Sequence, residues 1–198
     1  MPTQYVLSFT TGGLLYHESV VVAEALQRSG FVWESTTNDV LTGNLLQSRT
    51  QSTAKRKLRE VRQRLEELTA DQMKLFLLGT RLDQRLLLWL ACCLRYQLLA
   101  DFAQEVLRAK FLTLDISIQS IDVENFFESK LLWHDELESL TPTTKNKLQT
   151  VIMRMLREAG LVTNEGIIQS PLMSEDLIAV LRSDTLQRFD YFPINAPE

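Results

Sequence analysis

Residues 86–94 are nine consecutive apolar positions, closed at either end by Arg85 and Arg95. A half-buried strand alternates apolar with polar residues, and a surface helix repeats its apolar residues every three or four positions. An unbroken run fits neither pattern, so this segment is predicted to be a helix enclosed on all sides. It is too short for a membrane, since a spanning helix takes about 20 residues. The rest of the chain must wrap around it, each segment offering one apolar stripe. Only 7 Gly and 5 Pro occur in 198 residues, which favours long helices over a turn-rich sandwich. The expected fold class is all-α.

Stripes and caps place the remaining helices. Residues 6–9 are expected to be extended, and Thr10-Thr11-Gly12-Gly13 to break the chain before a helix over 15–27 that ends at Ser29-Gly30. A second, imperfect helical pattern covers 33–46. Over 53–68, Ala54, Leu58, Val61, Leu65 and Leu68 align, with Ser52 or Thr53 as the cap and the basic residues on the other faces. Thr69 opens a short helix over 70–78. Residues 83–112 read as almost wholly helical with a break near Asp101, and 122–140 as one acidic helix burying Phe126, Phe127, Leu131, Trp133 and Leu137. Thr141 caps a helix with Pro142 at its first position, where a missing N–H costs nothing. There Leu148, Val151, Ile152, Met155, Leu156 and Ala159 form the stripe and Gly160 the stop. Residues 161–163 and 167–169 flank Asn164-Glu165-Gly166, a hairpin signal, and a last helix covers 174–181.

Residues able to do chemistry are scarce. His17 and His134 are the only histidines and lie far apart, without zinc-ligand spacing. Cys92 and Cys93 are adjacent, so they face different sides of a helix and read as buried thiols of a reducing compartment. Gly12-Gly13 lacks the Gly-Lys-Ser or Gly-Lys-Thr continuation of a phosphate loop. Asp135, Glu136 and Glu138 diverge on a helix, which suits a surface better than a metal. Met1-Pro2-Thr3-Gln4-Tyr5 has no signal-peptide character. No catalytic residue, metal or cofactor is expected.

Charge is more informative. The net value is −4, yet residues 49–64 hold seven bases, Arg49, Lys55, Arg56, Lys57, Arg59, Arg62 and Arg64, against Glu60 alone. Acids gather instead at Asp122, Glu124, Glu128, Asp135, Glu136 and Glu138, with Lys130 the single base among them. At the start of the basic helix, free backbone N–H groups and the positive dipole end suit phosphate. Arg49, Lys55, Arg56 and Arg59 supply cations there, and Thr50, Ser52 and Thr53 short hydrogen bonds. The alternative is a solvated basic face pairing with the acids of residues 122–138.

Helix, Thr-Pro turn, helix and hairpin over 122–169 is the order of a winged helix-turn-helix, whose second helix enters the major groove. The candidate contacts on that helix are Lys145, Asn146, Lys147, Gln149 and Arg154; Asn and Gln match adenine edges and Arg matches guanine. Such modules also dock proteins, and an acidic first helix fits that use.

Several stretches together carry a resemblance. They are Leu7-Ser8-Phe9-Thr10-Thr11-Gly12-Gly13-Leu14-Leu15, Glu18-Ser19, Asn44-Leu45-Leu46-Gln47-Ser48-Arg49-Thr50, Leu140-Thr141-Pro142-Thr143-Thr144-Lys145-Asn146-Lys147-Leu148 and Arg154-Met155-Leu156-Arg157-Glu158-Ala159-Gly160. In order and spacing the chain resembles the BrxA family of bacterial BREX phage-exclusion systems. That likeness implies a cytoplasmic, mostly helical protein that binds double-stranded DNA and serves a multi-protein defence system beside other BREX subunits; with no catalytic set in the residues, it is expected to be non-enzymatic. Two lobes are expected, residues 1–118 with the basic helix and 119–198 with the winged-helix-like module. The other function the sequence allows is a protein–protein adaptor that assembles defence subunits without touching DNA. Because its longest apolar run is short and closed by arginine, the protein is expected in the soluble fraction of a detergent-free lysate. Recovery only from detergent-extracted membranes, without aggregates, overturns this expectation.

Overall fold

Helices begin where a hydroxyl can accept from their first free N–H groups. Thr50 opens α3 (Gln51–Leu65), Thr69 opens α4 (Ala70–Leu78), Thr80 opens α5 (Arg81–Arg95), Thr141 opens α10 (Pro142–Ala159) and Ser174 opens α11 (Glu175–Asp184). The other helices are α1 (Tyr16–Arg28), α2 (Trp33–Thr42), α6 (Gln97–Phe102), α7 (Ala109–Leu112), α8 (Ser120–Leu131) and the single turn α9 (Asp135–Glu138). These belong to a computed structural model that describes residues 4–10 and 12–195; Met1, Pro2, Thr3 and Thr11 of the segments discussed above lie outside the described residues. The chain is all-α, and among the described residues no strand forms.

The apolar run is the centre of the molecule. Leu86, Leu87, Leu88, Trp89, Leu90, Ala91 and Cys92 are wholly buried, and α1, α3, α4 and α10 pack against their helix. Trp89 still satisfies its indole N–H, which donates to the Tyr191 carbonyl at 2.8 Å. One apolar cluster runs from Tyr5 to Phe192. No single helix among the described residues is long and apolar enough to cross a membrane.

Three expectations are corrected. The long central helix breaks at Tyr96, not near Asp101, and turns by 115° into Gln97–Leu112. Tyr96 leaves helical geometry and is fully buried with its hydroxyl donating to Glu60. Beyond it, Ala103–Arg108 forms a π segment.

The acidic helix over 122–140 is also interrupted, at 132–134. His134, not Trp133, turns inward there. Its ring stacks on Tyr5 at 3.7 Å, and its Nδ1 lies 2.9 Å from Glu136 Oε1, which also accepts the Tyr5 N–H at 2.6 Å. Trp133, expected in the core, is 69% exposed.

The expected hairpin shrinks to a turn with isolated antiparallel bridges, Val162 to Ile168 and Ser117 to Ile167. Its returning limb divides its hydrogen bonds between two neighbours. Ile167 O accepts from Thr163 N at 2.9 Å, whereas Ile168 N donates to Ile116 O at 2.7 Å. Pro171, lacking an N–H, follows closely.

The segment joining the N-terminus to α1 is held from both sides. Arg64 of α3 is completely buried; Nη1 donates to the Gly13 and Leu14 carbonyls at 2.9 and 3.1 Å, and Nη2 to Glu60 Oε1 at 2.9 Å. From α10, Glu158 Oε2 accepts the Leu14 N–H at 2.5 Å. The approach is so close that a Cβ on Gly13 would lie 2.3 Å from that oxygen. Removing one member of a buried ion pair strands the other. Arg64→Ala is therefore expected to lose about 3–5 kcal/mol of stability in urea unfolding, while joint replacement of Arg64 and Glu60 by Met loses less.

Candidate nucleic-acid interface

The basic stretch does not act as one patch. Arg64 is interior, contrary to the sequence expectation that the bases occupy the outer faces of α3. Lys57 lies 2.8 Å from Glu18 Oε1. Burial opposes ionisation of Glu18, but the Lys57 ammonium and a backbone N–H outweigh it, so its pKa falls below the usual carboxylate range. Arg62 pairs with Glu66 at 2.8 Å and lies over the Trp33 ring at 5.1 Å. Arg49, Lys55, Arg56 and Arg59 remain. All four are exposed, and among the described residues none has a carboxylate within ion-pair distance.

The acids of residues 122–138 do not neutralise them. Asp122 lies 3.0 Å from Lys110, and Glu136 is spent on His134 and the Tyr5 N–H. The helix cap also differs from expectation, because it is Thr50 and not Ser52 or Thr53. Thr50 Oγ1 accepts the Thr53 N–H at 3.2 Å and bonds Thr53 Oγ1 at 2.9 Å, with Ser52 Oγ 3.3 Å away. The helix therefore starts two or three residues earlier than the sequence pattern indicates.

The second set of candidates lies on α10. Its apolar stripe, Leu148, Val151, Ile152, Met155, Leu156 and Ala159, is entirely buried. Asn146, Lys147 and Arg154 are exposed on the remaining surface, and Lys145 and Gln149 half-buried. The Thr150 hydroxyl is committed to Asn146 O at 2.8 Å.

A cavity of about 520 Å³, with no counterpart in any sequence pattern, lies between the helices. Arg85 of α5, Arg157 of α10 and His17 of α1 line it together with Glu18 and Glu158. Arg85 rests over the Tyr16 ring at 5.4 Å. In the sequence, Arg85 signals only the end of the apolar run; no local periodicity reveals that it shares a cavity with Arg157.

Nothing in these surroundings assembles a nucleophile. Cys92 and Cys93 are buried and unbonded. Burial pushes the Cys92 thiol up to about 11, despite Arg64 nearby. Among the described residues no group of three or more His, Cys, Asp or Glu side chains is placed to hold a metal ion.

With this geometry, the family profile of BrxA matches residues 3–185, nearly the whole chain. The chain belongs to the BrxA family. Among curated relatives, "BREX protein BrxA" of Escherichia coli O9:H4 (strain HS) is 28% identical over 152 residues, spanning 76% of this chain and 70% of that protein. Among solved structures, a crystal structure of an uncharacterized protein from Magnetospirillum magneticum superposes with a TM-score of 0.80 at 21% identity, over 96% of this chain and 97% of that one. The fold of this chain is thus seen in a solved protein whose sequence differs widely. Because burial disfavours the thiolate, neither cysteine of the native protein should react with an aromatic disulfide reagent at pH 8. Both should react after denaturation, and rapid labelling of the folded protein overturns this.

Proposed function

We propose that the protein is a non-enzymatic double-stranded DNA-binding component of BREX phage defence. Membership of the BrxA family, with a relative named as a BREX protein, supports the place in BREX and the presence of partner subunits. The observation that carries DNA binding is the exposure, without acidic partners, of Arg49 just before α3 and of Lys55, Arg56 and Arg59 on it, while Lys57, Arg62 and Arg64 of the same helix are neutralised. Unpaired guanidinium and ammonium groups release counterions from a duplex when they meet phosphate. Backbone contacts of this kind position the protein and carry no sequence information.

In this reading α10 is the recognition helix of a winged-helix-like module in the C-terminal part of the chain. The bridges from 116–118 and from Val162 to the returning limb at 167–168 support a minimal wing. Asn146, Gln149 and Arg154 would then face base edges, with Lys145 and Lys147 toward the backbone.

Titration of labelled duplex over a range of salt tests both parts. Joint replacement of Arg49, Lys55 and Arg56 by Ala should weaken binding to unrelated sequences alike and flatten the log–log salt slope by about 0.9 for each phosphate no longer neutralised. Joint replacement of Asn146, Gln149 and Arg154 should instead reduce discrimination between sequences, by about 1–3 kcal/mol for each base-edge pairing removed. Unchanged affinity and slope in a folded first variant removes the α3 assignment, and unchanged discrimination in the second removes α10.

A further inference from the structure

The turn that follows α8 presents its two largest apolar side chains to water. Leu132 is 82% and Trp133 69% exposed, side by side. Isolated surface leucines are common, but tryptophan is among the residues that most often dominate the energetics of protein interfaces, and here the leucine beside it widens the apolar patch. The turn is also held in place. Trp133 N donates to Lys130 O at 3.1 Å, and immediately after it His134 is buried against Tyr5 and bound to Glu136. An anchor fixed before binding loses less freedom when it binds.

The charge around this turn selects among partners. Glu124, Glu128 and Leu132 follow one another at four-residue spacing, along one face of α8, and Asp135 and Glu138 lie just beyond. All four acids are exposed, and among the described residues none has a cation within ion-pair distance. Lys130, the base between them, is occupied by Glu105 at 2.5 Å and Asp101 at 3.5 Å. Such a surface repels a phosphate backbone. It also repels its own copy in a symmetric dimer, where like surfaces meet.

We propose that Leu132 and Trp133 anchor a docking site for a protein partner whose apolar pocket is rimmed by Lys or Arg, supplied by a different subunit of the BREX system. The site rests on BREX membership and is independent of the DNA contacts of α3 and α10. Apolar burial of the two side chains holds the complex, and the four carboxylates set its salt dependence and its choice of partner.

The test uses the full chain after nuclease treatment, titrated in turn with each purified protein subunit of the same defence system. At least one should bind, more weakly as salt rises. Trp133→Ala should weaken that complex by about 30-fold or more. Joint Glu128→Lys and Asp135→Lys should weaken it and abolish most of its salt sensitivity, while the uncharged change Trp133→Ala leaves duplex affinity as it was. Should Trp133→Ala disturb the fold by circular dichroism, Leu132→Ser gives the same reading. Binding of no subunit to the wild type, full-strength binding by the folded variants, or self-association through this turn each overturns the proposal.

Discussion

A guanidinium with no access to water organises the N-terminal half of this molecule. Removing an arginine from solvent costs several kcal/mol unless its hydrogen-bonding capacity is met. Here all three of its nitrogens find acceptors, shared between the Glu60 carboxylate and the carbonyls of Gly13 and Leu14. Glu60 in turn accepts from Tyr96, the residue at which the central helix breaks. Burial and that bond to Glu60 push the Tyr96 hydroxyl up to about 12, so it stays a donor at any physiological pH. One buried pair thereby fixes three things at once: the entry to α1, the face of α3 turned inward, and the place where α5 ends.

The same entry segment touches the C-terminal part of the chain. Leu14 gives its carbonyl to Arg64 of α3 and its N–H to Glu158 of α10. A side chain on Gly13 would have to push that carboxylate away from the Leu14 N–H. Leu15, at the start of α1, adopts a left-handed backbone with φ 56°, a conformation an ordinary residue accepts only when its surroundings impose it. Two helices far apart in sequence, each carrying candidate contacts, are thus tied to one short loop. Lys57 and Glu18 add a second tie between α3 and α1.

Much of this is legible in the sequence wherever the determinant is local. The nine-residue apolar run identifies the central helix, and the stripe from Leu148 to Ala159 is buried at every position that its spacing indicates. Thr69 and Thr141 mark their helix starts because a cap acts over three residues. What escapes depends on partners distant in sequence. Arg64 looks like one more base on a solvated face until the carbonyls of residues 13 and 14 are seen beside it. Tyr96 reads as helical because its reason for leaving the helix is a carboxylate 36 residues earlier. The pattern of Phe126, Phe127 and Leu131 points Trp133 into the core only if it is carried through an interruption, and beyond a break the phase of a helix is lost. Among the site residues, exposure of Lys55, Arg56 and Arg59 follows from the stripe of α3, whereas the neutralisation of Lys57 by Glu18 does not.

The loop shared by α3 and α10 couples the two helices mechanically. Surfaces joined by flexible linkers move independently; surfaces fastened to one buried loop move together. Because Leu14 gives its carbonyl to Arg64 and its N–H to Glu158, a change at this loop is felt on both surfaces at once, and neither helix can shift without drawing on the other.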